Sequence, residues 1–114
     1  MAAKRLDLSN LSRSMNEMLV LAALQDGPKH GYQLALDVES SSGGLFFFKH
    51  GTLYPILHRL EKQKLIAGSW SDEGRRGRRR AYELTDTGRV YAAELREEWR
   101  EFASTLLRTL GEES

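Results

Sequence analysis

The chain has 114 residues, 40% hydrophobic and 29% charged, which suits one modest domain with an ordinary core. It contains no cysteine, so disulfides and thiolate metal sites are excluded. No apolar run reaches the roughly 18–20 residues of a membrane span, and the N-terminal MAAKRLDLSNL lacks the hydrophobic core of a secretory signal, so a cytoplasmic protein is expected.

The net charge of +1 conceals a strong division. Residues 49–80 carry nine basic and three acidic side chains, a net +6, whereas residues 86–114 carry four and seven, a net −3. A basic middle beside an acidic tail makes an oriented field with one surface suited to a polyanion.

In chain order, Ser14 to Gln25 reads as a helix, apolar around much of its girth. Ser14 and Glu17 stand at capping-box spacing, and Asp26-Gly27-Pro28 ends the segment. A second helix is predicted from about His30 to Ser40, with Leu34, Ala35 and Val38 inward and Ser41-Ser42-Gly43-Gly44 as its end. Leu45 to Phe48 is a short apolar run compatible with a small strand.

The stretch His50–Ile66, HGTLYPILHRLEKQKLI, predicts a third helix. Leu53, Ile56, Leu57 and Leu60 recur at i, i+3, i+4 and i+7, one apolar stripe. The other faces carry Thr52, Tyr54, His58, Arg59 and Lys62, with Glu61 the only acid. Thr52 is the expected cap, and Pro55 is tolerated in a first turn that has no intrahelical amide bond to lose.

Residues 67–73 and 80–85 predict two strands around a turn at Gly74–Gly77, and the segment GRRGRRR supplies five arginines. Thr85-Asp86-Thr87-Gly88 then caps a final helix to about Leu110, on the order of 37 Å long. Tyr91, Leu95, Trp99, Phe102, Leu106 and Leu110 form a seam along it, widened by Ala92, Ala103 and Leu107. Such a seam on a protruding helix wants a partner, most simply its own copy. Three helices followed by a hairpin with a basic tip are the order of a winged helix-turn-helix. The expected fold is mainly α (α+β): a winged helix-turn-helix over residues 1–85 and a C-terminal dimerisation helix over residues 86–114.

Three motifs, HGYQLALDVE (His30–Glu39), GTLYPILHRLE (Gly51–Glu61) and GRRRAYELTDTG (Gly77–Gly88), resemble the PadR family of transcriptional regulators. With the terminal helix they cover most of residues 15–110, and the single C-terminal helix resembles the short subclass. The resemblance implies a homodimeric repressor bound to a double-stranded DNA operator, with a small aromatic effector near the dimer interface. Three positions depart from the family pattern: Lys64 replaces a usual glycine, Ala81 a common aromatic and Glu83 a common basic residue. A left-handed backbone at Lys64 would cost on the order of 1 kcal/mol.

The candidate DNA contacts are Thr52, Tyr54, His58, Arg59 and Lys62 on the third helix and Arg75, Arg76, Arg78 and Arg79 in the wing. Hydroxyls and amides at a helix N-terminus meet phosphates and the first base edges, and clustered guanidiniums suit phosphates or a narrow minor groove. The residues alone also admit a solvated turn for the arginines, a packing role for Tyr54 and an ion pair with an acid such as Glu39 for Arg59. Tyr32 is expected to pack between helices and Trp70 at the base of the wing.

Trp99 is either dimer core or the wall of a cavity in which an aromatic effector stacks, with Leu95 and Phe102 lining it. The three histidines lack ligand-like spacing, so no metal or cofactor is expected. There is no recognisable nucleophile triad, carboxylate pair or phosphate loop, and no enzyme is expected. A winged-helix protein-interaction module without DNA binding is the other reading, which the basic middle disfavours.

Overall fold

A computed structural model describes residues 11–49, 51–71 and 79–111, and of Ser71 the backbone alone. The elements are α1 (Leu11–Ala23), β1 (Lys29–His30), α2 (Gly31–Ser41), α3 (Leu53–Lys62), β2 (Ile66–Ser71), β3 (Arg79–Leu84) and α4 (Asp86–Thr109).

Helix α1 begins by Leu11, so Ser14 and Glu17 are not a capping box. A cap needs a residue at the helix boundary, and both lie inside the helix, where they serve tertiary contacts. The Ser14 hydroxyl accepts the Trp99 indole N–H at 3.3 Å. Met18, Val20, Leu21 and Leu24 fill the core from this side.

Helix α2 ends in a Schellman turn. Gly43 and Gly44 take φ of 62° and 87°, and their amides donate to Ser40 and Glu39 at 3.2 and 2.8 Å. The run after it, Leu45 to Phe48, does not form a strand. Phe46 and Phe48 pack on the core while Leu45 and Phe47 face outward, a period-two pattern without a sheet edge to join. That edge is taken by β1, a two-residue strand too short to leave a sequence pattern.

Helix α3 buries Leu53, Ile56, Leu57 and Leu60 as its spacing requires. Each fully buried leucine contributes about 1.5–3 kcal/mol relative to exposure. The helix is shorter than the predicted 50–66, and His50 lies outside the described residues. Thr52 does not cap it: its backbone is already helical at φ −90°, ψ −38°, and its side chain makes no cap bond.

The C-terminus of α3 is a second Schellman turn, with Lys64 at φ 64° in the left-handed position. Lys64 donates to Glu61 at 2.9 Å and Leu65 to Leu60 at 3.0 Å, and the buried Leu60 and Leu65 sit at the two positions this motif pairs hydrophobically. A lysine therefore stands where glycine is conformationally preferred.

The sheet has the order β1-β3-β2, antiparallel throughout. Across β2 and β3, Ile66 pairs with Leu84, Gly68 with Tyr82 and Trp70 with Arg80. Alternation puts these six side-chain positions on one face, where Ile66, Tyr82 and Leu84 are buried. The Gly74–Gly77 turn lies outside the described residues.

From Thr85 the chain enters α4. The Thr85 hydroxyl accepts the Gly88 amide at 2.9 Å, the expected N-cap, and lies 2.8 Å from the Lys64 carbonyl oxygen, to which it donates. The Thr85 amide donates to Leu65 at 3.1 Å. Gly88 makes this approach feasible: a Cβ there would run into the Leu65 carbonyl oxygen and come within 2.9 Å of its carbon. Ala92 and Leu95 enter the core, Trp99 and Phe102 are half-buried, and Leu106, Leu107 and Leu110 are exposed.

Urea unfolding of two variants tests this junction. Lys64→Gly should gain about 0.5–1 kcal/mol, because relief of left-handed strain exceeds the added freedom of the unfolded chain. Gly88→Ala should lose at least about 2 kcal/mol despite its better helix propensity, because the neighbouring atoms are backbone.

Candidate nucleic-acid interface

With its apolar stripe inward, α3 turns Tyr54, His58 and Lys62 to solvent at i, i+4 and i+8. Thr52, partly exposed, stands just before the first residue of the helix. Of the predicted residues, Tyr54, His58 and Lys62 thus lie along one side of the helix, and Thr52, two positions before Tyr54, lies off that side.

Tyr54 is 57% exposed yet fixed at one edge. Its ring lies over Gly31, where an added Cβ would come within 2.9 Å of the phenol oxygen. The glycine of the HGY motif therefore lets the start of α2 approach the aromatic of the TLYP motif. Tyr32 does not pack between helices as expected. It is 68% exposed at the start of α2.

Arg59 lies on the flank of α3. Its Nε is 3.4 Å from Glu17 Oε2 on α1, is buried, and makes no hydrogen bond. Its partner is Glu17 rather than Glu39. Glu17 also faces Tyr91 on α4. Burial first, then the carboxylates of Glu17 and Glu98, raise the Tyr91 hydroxyl above its ordinary value.

In the wing, Arg75, Arg76 and Arg78 lie outside the described residues. Arg79 is exposed at the start of β3, on the sheet face opposite Arg80. Arg80, which the sequence grouped with the basic run, is instead engaged. Its guanidinium donates to Glu61 of α3 and lies 5.3 Å from the Trp70 ring centre and 5.8 Å from that of Tyr82. Trp70, expected as packing, is 55% exposed beneath it. The signal for Arg80 was present: strict alternation with Tyr82 and Leu84 assigns it to the inner face.

Lys29 of β1 pairs with Asp37 of α2 at 2.6 Å. Hydrogen bonds from Lys29 and Gln33 hold the Asp37 carboxyl below its ordinary value.

Leu95 lies in the core, and Trp99 meets Phe102 edge-to-face with ring centres 5.1 Å apart. A groove of about 600 Å³ between the ends of α1 and α2, with Ala23, Val38 and Phe46 in its walls, is lined by neither ring. Among the described residues no group of three or more potential ligands is placed to hold a metal ion, and no helix is long and apolar enough to cross a membrane.

A helix with one buried stripe and one polar stripe, set against a three-stranded sheet whose hairpin carries arginines, defines a winged helix-turn-helix protein. The chain belongs to the transcriptional regulator PadR-like family, whose model matches residues 20–94, and such regulators are not enzymes. It is similar to a transcriptional regulator from Clostridium thermocellum, with 27% identity, a TM-score of 0.76, and coverage of 88% of this chain and 96% of that one. A PadR family regulator from Eggerthella lenta is 31% identical, with a TM-score of 0.72 over 90% of this chain and 88% of that one. PadR of Bacillus subtilis, in a structure with operator DNA, shares the fold at 24% identity and a TM-score of 0.64, over 70% of this chain and 44% of that one.

The pH dependence of stability follows from the two shifted tyrosines. Burial leads in raising both Tyr82 and Tyr91 above 10.0, so folding favours their neutral forms. That stability is complete below the unfolded value and is lost as pH rises through the raised folded values. The urea midpoint should therefore hold to about pH 9.5 and fall above about pH 10, and Tyr91→Phe should remove part of the fall.

Proposed function

We propose that the protein is a cytoplasmic, homodimeric repressor that binds a pseudo-palindromic operator in double-stranded DNA and is released by a small aromatic effector. The observation that carries this is the exposed stripe of Tyr54, His58 and Lys62 on a helix whose other face is buried, beside the arginine-rich wing. Its width and mixed donors suit a major groove. The operator complex of the Bacillus subtilis relative supports DNA as the partner.

In this reading Thr52 and Tyr54 approach the backbone and first bases, His58 and Lys62 continue along the groove, and Arg59 flanks them. Arg75, Arg76, Arg78 and Arg79 supply sequence-independent attraction to phosphates or the minor groove. The dimer forms through the 86–114 segment, chiefly α4, for which the exposed Leu106, Leu107 and Leu110 are the supporting observation. It would space two copies of α3 about 34 Å apart, one helical turn of DNA. An aromatic effector would stack near Trp99 and Phe102, above Leu95, and alter that spacing. Operator affinity then changes by the effector's differential affinity for the two spacings.

Gel shifts with genomic fragments over a salt series test the DNA reading. Selective retention that weakens steeply with salt is expected, and no retention at low salt would leave a protein-interaction module instead. Replacing Arg78 and Arg79 together by Ala should weaken binding to every duplex and lower the salt slope by about two phosphate equivalents.

For the effector, aromatic acids should quench tryptophan emission in the native protein. They should not do so in Trp99→Ala, where Trp70 is the remaining tryptophan. That variant should still sediment as a dimer, and a monomer would make Trp99 an interface residue.

A further inference from the structure

Arg80 stands in the most basic segment of the chain, and composition alone would assign it to phosphate. Its surroundings argue otherwise. The guanidinium donates to Glu61 in the last turn of α3, with both side chains less than one-third exposed. It lies across Gly68, where an added Cβ would come within 2.7 Å of Nε and 2.8 Å of Nη2, so a larger residue there would displace the guanidinium from this position. Trp70 and Tyr82 lie 5.3 and 5.8 Å from its central carbon. The group is thus held by an acid from one element and by two rings and a glycine from the hairpin.

Glu61 carries the complementary argument. An acid in the last turn of a helix opposes the helix dipole, and an acid beside a polyanion repels it. Glu61 is also the only acid on α3. Its position is explained by the partner it holds. The pair joins the C-terminal turn of α3 to the tip-ward end of the β2–β3 ladder, one pair from Ser71–Arg79, and so sets the angle between the two parts that would enter adjacent grooves.

We propose that Arg80 is a positioning residue for operator recognition: bound to Glu61 across Gly68, it fixes the wing relative to α3 and makes no phosphate contact of its own. The inference rests on the DNA-binding reading above. A planar guanidinium is required, because an ammonium cannot both lie flat over Gly68 and donate sideways to the carboxylate.

The test measures affinity for one retained genomic fragment and for a random duplex over a salt series, using the full chain and variants whose thermal melts show them folded at the assay temperature. Arg80→Ala should weaken the retained fragment about tenfold, the usual worth of a charge-assisted bond. The random duplex and the salt slope should be unchanged, and Arg80→Lys should not rescue. Loss of folded protein alone would weaken both duplexes equally, and that result overturns the proposal.

Glu61→Gln separates the models most sharply. If Arg80 were a phosphate contact restrained by Glu61, removing the acid would tighten binding to both duplexes. If the pair positions the wing, Glu61→Gln weakens the retained fragment alone, as Arg80→Ala does. Tighter binding by Glu61→Gln, or a slope reduced by about one phosphate in Arg80→Ala, overturns the inference while leaving the DNA reading intact. A native protein that retains no fragment overturns both.

Discussion

Everything on this chain that could meet DNA or a second subunit is tied to two peptide units, Lys64 and Leu65. There α3 ends in a left-handed residue, β2 begins, and the first turn of α4 is pressed against the Leu65 carbonyl. Thr85 closes the contact with its amide and hydroxyl, and Gly88 removes the atom that would prevent it. Helix α3, the hairpin and α4 therefore share one origin. A buried carbonyl without such partners would cost about 1–3 kcal/mol, so the junction is closed by hydrogen-bond need as much as by packing.

From that origin the basic residues divide by face rather than by sequence. Arg79 and Arg80 are neighbours, but strand alternation sends one outward to solvent and the other inward to Glu61. Arg59 is drawn to Glu17, leaving Tyr54, His58 and Lys62 as the open stripe of α3. Net charge thus overstates the number of cations free to meet a polyanion. What remains exposed is ordered by the elements beneath it.

Much of this was legible in the residues. The α3 stripe, the Thr85 cap and both long strands, apart from residues 72–73, which lie outside the described residues, follow from local patterns whose physics lies within a few residues, whereas the cost at Lys64 was implied by the family resemblance. The misses share a different cause. Strand β1 is two residues long and exists because β3 offers an open edge. Leu45 to Phe48 has strand periodicity but no edge to pair with. Ser14 and Glu17 match a capping box, yet Leu11 already begins the helix and the two side chains answer to Trp99 and Arg59 instead. Thr52 likewise resembles a cap but has helical backbone. For the candidate interface, the outward residues of α3 could be read directly, whereas the Arg80–Glu61 pair spans nineteen positions and passes over a glycine within β2. Local chemistry proposes such partners, and only tertiary geometry selects among them.

The Thr85–Leu65 closure also bears on how freely this protein can change. The bond joins residues twenty apart, so the whole hairpin is a side loop hung from a closed neck. Doubling the length of such a loop costs only about 0.6 kcal/mol in chain entropy. A change of loop length beyond the ladder is therefore cheap in chain entropy, whereas Gly88 is held by backbone atoms of the neck. Selection can therefore retune the tip across descendants of one ancestor at nearly constant stability, leaving the frame to be inherited intact.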